Sequence, residues 1–374
     1  MQTVPRRVGV TATAATIAVV AGLLGPVHAQ RSIPDIAGKV QTVQGVIDPA
    51  ALGPALMHEH IFIDFKAPPP MVPPVTGVRV LKPASANTGT GIGAGLTDYD
   101  VSLAEVMEFK KIGGGTIVDV TNFGLTRDPD ALLRISKASG LNVVMGAGWY
   151  QKALHPPDMA MRTVEELTDI VVRDVTVGAQ GTSIRSGIIG EVGVQGKPLV
   201  ENELKSVRAS ARAARLTGAP ITIHSFGSNE EMLQVLDIIA SEGVEMSRVI
   251  MGHMGSRDLA YIKQLHDRGV YYEFDYIGQA PLSAEKTQKL IDHIADAIQG
   301  GYGDRLLVAH DICTKPQLKQ NGGGGYTYIS TAVVPGLKAK GISDDTIRRI
   351  LVDNPRRVLT FVQPEPIIAG NQNK

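Results

Sequence analysis

A closed (β/α)8 barrel is the fold class this sequence predicts, and three observations carry the prediction. Eight short apolar runs of strand length recur along the chain, helical patterns ending in glycine separate most of them, and unusual polar residues gather at their carboxyl ends. Alternating strands and helices with right-handed crossovers build a parallel sheet, and eight such units suggest closure into a barrel. No Gly-x-Gly-x-x-Gly turn follows any run, which weighs against the open dinucleotide-binding sheet.

In chain order, residues 1–29 come first. They have a basic start (Arg6, Arg7), an apolar stretch from about Val8 to Leu24 and a small residue, Ala29, before Gln30. That is the pattern of a signal peptide, so residues 30–374 are expected as one exported domain, periplasmic or secreted. The paired arginines make only a weak twin-arginine motif. The next segment, "VQTVQGVIDPAALG", alternates in period two, and a short N-terminal β-hairpin turning at Asp48-Pro49 is expected. The first core run is "GPALMHEHIF" (Gly53 to Phe62). Seven more follow: "TIVDVT", "NVVMGAGW", "GIIGEVG", "PITIHS", "RVIMGHM", "YYEFDYI" and "LLVAHDI". Helical patterns such as "SLAEVMEFKKIG", "NELKSVRASARAARLTG" and "NEEMLQVLDIIASEG" precede the second, fifth and sixth runs, each with glycine at its carboxyl end. Two segments leave strand ends as candidate lids: a Pro- and Gly-rich insertion near residues 67–95, and "CTKPQLKQNGGGGYTY" after the eighth run.

Bulk composition excludes several function classes. The 374 residues are 43% hydrophobic and hold 37 basic against 37 acidic side chains. A zero formal charge gives no broad attraction to nucleic acid or to an anionic membrane. The single cysteine, Cys313, excludes an intrachain disulfide framework. No second segment is long and apolar enough to span a bilayer, so no membrane association is expected once the signal is removed.

The polar residues on the runs are more informative. His58 and His60 alternate, so both rings share one face of the first strand while Glu59 points to the other. Glu191 ends the fourth run, His224 the fifth, His253 the sixth and Asp311 the eighth. One buried histidine is ordinarily satisfied by a backbone carbonyl. Four imidazoles and two carboxylates at one barrel mouth are not easily buried without a cation. The donor set is too large for one catalytic ion that keeps an open position, whereas two divalent ions about 3.5 to 4 Å apart would use it fully. Zinc suits these ligands, as do manganese, iron and cobalt. The other histidines behave differently: His155, His266 and His293 fall in loop or helical patterns, and His310 alternates with Asp311 and should face the helices.

The ordered set "LMHEHIF", "GIIGEVG", "ITIHS", "IMGHMG" and "LVAHDIC" resembles the phosphotriesterase family of the amidohydrolase superfamily over about Val40 to Phe361. The resemblance implies that His58, His60 and Asp311 hold a more buried metal ion, that His224 and His253 hold a more exposed one, and that Glu191 bridges them. Many members carry a carboxylated lysine at the bridge. This chain resembles the phosphotriesterase homology, or phosphotriesterase-related, branch, in which glutamate stands there. The resemblance also suggests a homodimer.

Such a centre implies hydrolysis, with a bridging water attacking an electrophilic carbonyl or phosphorus and Asp311 taking up the released proton. Trp149, Tyr150 and Tyr276, with Phe123 and Phe226, are the aromatic residues expected to line the mouth. No arginine pair for a phosphate dianion is evident, which favours a neutral or weakly charged small molecule: a carboxylic ester, a lactone or a phosphotriester. Members with high phosphotriesterase activity carry histidine where this chain has Tyr276, which disfavours organophosphates. An amidase or deaminase, and an exported barrel that binds ligand or metal without turnover, are the competing readings.

Overall fold

The computed structural model describes residues 33–65, 95–279 and 281–365. The expected signal peptide and, apart from Gly95, the expected 67–95 insertion lie outside them. A hairpin comes first: β1 (Val40–Thr42) pairs antiparallel with β2 (Gly45–Ile47). Its turn is at Val43-Gln44 rather than the expected Asp48-Pro49. Asp48 instead caps a single 3-10 turn, Pro49–Ala51, by accepting the Ala50 N–H at 2.9 Å. Proline at the first helical position suits that turn better than a hairpin, because its fixed φ is already helical.

Eight parallel strands then alternate with helices. They run β3 (Ala55–Glu59), α1 (Tyr99–Lys111), β4 (Thr116–Asp119), α2 (Pro129–Ser139), β5 (Asn142–Met145), α3 (Val164–Thr176), β6 (Ile189–Val194) and α4 (Glu201–Thr217). There follow β7 (Ile221–Ser225), α5 (Asn229–Ser241), β8 (Val249–Met251), α6 (Leu259–Asp267), β9 (Tyr271–Phe274), α7 (Ala284–Ala297) and β10 (Leu306–Val308). Three short helices, α8 (Val334–Ala339), α9 (Asp344–Arg348) and α10 (Asn354–Leu359), complete the described chain. The caps follow local chemistry. Ser228 and Thr163 make reciprocal capping boxes with Glu231 and Glu166, and Gly218 ends α4 at φ 74°.

The ladders join β3-β4-β5 and β6-β7-β8-β9-β10. Two sets of hydrogen bonds close the ring. Gly187 and Gly190 N–H groups donate to Met145 and Ala147 carbonyls at 2.9 and 2.7 Å, linking β5 to β6. Asp311 N–H donates to His58 O at 3.1 Å and His60 N–H to Ile312 O at 3.2 Å, linking β10 to β3. The second seam therefore passes through the residues of interest. The core is Val, Ile and Leu from strands and helices, and a second apolar cluster joins Val118, Val144, Ile250 and Leu307 to Val358 and Leu359 of α10.

The strands are shorter than the apolar runs. His60, His253, Tyr276 and Asp311 all lie just beyond a strand end, and the last three adopt left-handed backbone at φ 64°, 60° and 53°. Non-glycine residues there cost conformational energy and persist where the surroundings over-determine them, typically at functional sites. Among the described residues no helix is long and apolar enough to cross a membrane.

Candidate metal centre

Glu191 is the hub of the barrel mouth. It is 2% exposed, and four histidine nitrogens point at its two oxygens. Oε1 lies 3.3 Å from His60 Nε2, while Oε2 lies 2.6 Å from His224 Nδ1, 3.3 Å from His58 Nε2 and 3.8 Å from His253 Nε2. Asp311 Oδ1 is 3.2 Å from His60 Nε2. All six residues expected at the site thus meet in one cluster, and all are buried. Their donor atoms form two groups within 4.8 Å: His58, His60 and Asp311 in one, Glu191, His224 and His253 in the other.

The outward nitrogens are held by a second set of partners. His58 Nδ1 is 3.2 Å from Glu273 Oε2, His60 Nδ1 is 2.9 Å from Thr121 Oγ1, and His253 Nδ1 is 2.8 Å from Asp275 Oδ1. These contacts fix each ring so that Nε2 faces inward, the usual support for a metal-binding imidazole. His224 is reversed: Nδ1 faces Glu191, and Nε2 is 3.0 Å from the Tyr150 hydroxyl. Asp275 Oδ2 also accepts the His253 N–H at 2.8 Å, which helps hold that residue in its left-handed turn.

Hydrogen bonding alone serves this cluster poorly. His58 Nε2 is buried without a hydrogen-bond partner, its approach to Glu191 lacking the angle for one. His224 Nδ1 and His253 Nε2 face each other at 2.7 Å, so they must share one proton. The titration behaviour agrees. Burial would lower His58, His60 and His253, yet the carboxylates around them prevail, lifting His58 well above its usual value, His60 to about 9 and His253 to about 10. His224, buried and facing His253, is lowered. Burial would raise Glu191, but the imidazoles of His224 and His58 hold it well below the usual carboxylate range. The cluster is thus a carboxylate-rich cage that demands positive charge. Inward-facing lone pairs, an orphaned nitrogen and a central carboxylate fit a pair of divalent cations.

The aromatic expectations divide. Tyr276 is 42% exposed with its ring 5.0 Å from that of His253, and Phe226 stacks on His224 at 4.6 Å. Tyr150 is buried against His224 with a ring separation of 4.5 Å. Trp149 is 1% exposed and packed in the hydrophobic core; it does not line the cavity beside His253, and Phe123 also packs against that core. That cavity, of about 800 Å³, opens beside His253, Asp275 and Tyr276 and extends over Phe226, Ile277 and Leu282.

Two supporting carboxylates were overlooked in the sequence: Glu273 and Asp275. They stand two residues apart in "YYEFDYI", just as His58 and His60 do in their run, and an acid pair at period two in an apolar strand was the available signal. Burial raises Glu273 to about 7 despite the nearby His58, while His253 outweighs burial at Asp275 and lowers it. His310 does face the helices. Its Nδ1 is 2.7 Å from Glu59 Oε1, and its Nε2 accepts the Ile329 N–H at 3.1 Å.

Comparison with known proteins agrees with the barrel fold. A family model, the phosphotriesterase family, matches residues 38–359. An N-acetyltaurine hydrolase from Pongo abelii is 34% identical over 349 residues, covering 87% of this chain and 99% of its own. Among solved structures, a resiniferatoxin-binding protein from Rhodobacter sphaeroides superimposes with a TM-score of 0.76 at 33% identity, covering 88% of this chain and 97% of its own. A lactonase from Listeria monocytogenes does so with a TM-score of 0.73 at 27% identity, covering 87% and 100%. With the barrel, the buried cage at its carboxyl face and a match along nearly all of the described residues, the chain belongs to the phosphotriesterase family of hydrolases.

Proposed function

We propose that the chain is an exported two-metal hydrolase that adds water to the carbonyl of a carboxylic ester or lactone. The observation that carries this reading is the convergence of four imidazoles on the two oxygens of Glu191, with Asp311 alongside. His58, His60 and Asp311 would hold one divalent ion, His224 and His253 the other, and Glu191 both; zinc is the first choice, with manganese, iron or cobalt accepted by the same donors. Bound there, the ions would supply a hydroxide at neutral pH and polarise the carbonyl oxygen.

The chain's own groups do the rest. Asp311 accepts the proton released as water adds to the carbonyl and returns it to the leaving group. With its inward Nδ1 on a metal ion, His224 would carry its hydrogen on Nε2 and donate it to the Tyr150 oxygen, 3.0 Å away. The phenolic hydrogen of Tyr150 is then free to donate to substrate. Burial, together with the Glu191 and Asp311 carboxylates, holds that phenol well above its usual pKa, so it remains protonated. Phe226 and Tyr276 present apolar surface beside His224 and His253, where the acyl group can lie and water is kept from the face of the carbonyl.

A specific observation favours a second reading. The relative at 34% identity is named for amide hydrolysis, and an amide leaving group needs the proton donor that Tyr150 provides. A panel of γ- and δ-lactones, aryl esters, N-acetyl amides and aryl phosphotriesters, assayed on metal-loaded protein, separates the readings. Lactones or esters should be turned over fastest. Amides leading the panel would shift the function to the second reading, and no turnover of any class would end the hydrolase proposal. Export adds its own expectation: mature protein from the native host begins at about Gln30 by mass spectrometry.

A further inference from the structure

We propose that the cavity beside the cage selects amphiphilic anions, substrates with an apolar body and a distal carboxylate or comparable monoanionic group. The inference rests on the hydrolase reading above and names its substrate class. It narrows the expectation of a neutral or weakly charged substrate to the charged side, on lysines and a single arginine rather than an arginine pair.

The cavity lining carries the argument. Its apolar surface comes from Phe226, Tyr276, Ile277, Leu282 and Leu290, so a chain or ring can lie along it. Its charged lining is one-sided: Lys197, Arg257, Lys286 and Lys289 against the single carboxylate of Asp275. That carboxylate is committed, with Oδ1 on the His253 ring and Oδ2 on the His253 N–H. Lys289 pairs with Glu285 at 2.8 Å. Arg257 spends its guanidinium on neutral acceptors, Asn229 Oδ1 at 2.7 Å and the carbonyls of Ser225 and Gly227 at 3.0 and 2.7 Å, so its charge is fixed in place with no ion pair among the described residues. Lys197 and Lys286 make no ion pair among the described residues; Glu231 influences Lys197 but takes that residue's main-chain N–H, at 2.7 Å. A cavity whose wall carries more cationic than anionic side chains focuses positive potential, which raises the local concentration of anions and disfavours cations. Both lysines are exposed and long enough to follow substrates of different length, so the geometry points to a charge preference rather than to one fixed anion.

The test uses metal-loaded protein and two matched esters: 4-nitrophenyl hexanoate, and the mono-4-nitrophenyl ester of adipic acid, which places a carboxylate at the end of the same acyl chain. The adipate ester should show a kcat/KM at least about 10-fold higher, mainly through KM, and the ratio should shrink in 1 M salt, where the screening length is only about 3 Å. In the Lys197→Gln/Lys286→Gln double variant the ratio should fall by about 10-fold. Calorimetric titration of 4-phenylbutyrate and 4-phenylbutanamide into the same proteins reads binding without turnover. The acid should bind more tightly, and lose that advantage in the double variant. Equal treatment of both esters and both ligands by the wild type would overturn the proposal, as would a preference untouched by the double variant, because the anion would then be seated on the metal ions. Failure to hydrolyse either ester with the binding preference intact would instead count against the ester-hydrolase reading alone.

Discussion

At the scale of single residues, the site depends on which atom each imidazole turns inward. In the proposed centre Glu191 would balance the charge of two cations and hold them together, which a neutral isostere could not. Glu191→Gln should lose at least one metal ion per chain and about 100-fold or more in turnover, the scale of disturbed catalytic electrostatics; metal analysis and steady-state rates check both. Asp275 acts one step away, through the 2.8 Å contact to His253 Nδ1. Asp275→Asn should weaken metal affinity or activity by about 10- to 100-fold, read by competition with a chromophoric chelator. The six clustered residues were legible in the sequence because each interrupts an apolar run at its carboxyl end. The direction of His224 was not, since pleat parity says which face a ring takes but not which nitrogen leads. Trp149 shows the opposite limit: its place beside Tyr150 after an apolar run suits either core or mouth, and only packing puts it in the core.

At the scale of elements, the seam between β3 and β10 sets the position of Asp311. Glu59, on the far face of β3 from His58, accepts the His310 N–H at 2.9 Å, the Ile312 N–H at 3.1 Å and the His310 ring at 2.7 Å. The clamp grips both neighbours of Asp311 and so holds its left-handed turn. Glu59→Ala would leave three buried donors unsatisfied, at about 1–3 kcal/mol for each group. The expected result is a several-degree fall in Tm together with reduced metal retention, measured by thermal unfolding and metal analysis; an unchanged Tm would contradict the clamp. Gly193 in β6 serves a different need. A Cβ there would overlap the backbone of Tyr150 and Gln151, so Gly193→Ala should cost about 1–3 kcal/mol and displace Tyr150 from His224. Strand identity and order were legible from period and punctuation, but strand ends were not. The apolar runs continue into the turns that carry His60, His253, Tyr276 and Asp311, and residue type alone does not mark where pairing stops.

At the scale of the whole molecule, metal bound in the cage would be linked to stability. In metal-free protein the folded state holds protons on His60 to about pH 9 and on His253 to about pH 10, whereas in the unfolded chain these residues titrate near their ordinary value of about 6.5. A raised folded pKa stabilises fully below the unfolded value, and that stability is lost as pH rises through the folded one. Chelated protein should therefore lose Tm between about pH 7 and pH 10 relative to metal-loaded protein, in which cations replace those protons; parallel curves would contradict the linkage. The barrel itself was legible from eight runs and their helices, whereas the one-sided charge of the cavity was not, because the loops that carry Lys197 and Arg257 and the first turn of α7, which carries Lys286, lie far apart in sequence. The central claim is that this cage holds a pair of hydrolytic metal ions. It is tested most directly by metal content per chain in purified protein, with ester and lactone hydrolysis measured before and after exhaustive chelation and again after metal is restored. The account predicts close to two divalent ions, loss of turnover on chelation and recovery on reloading. Full turnover in protein stripped of metal would contradict it.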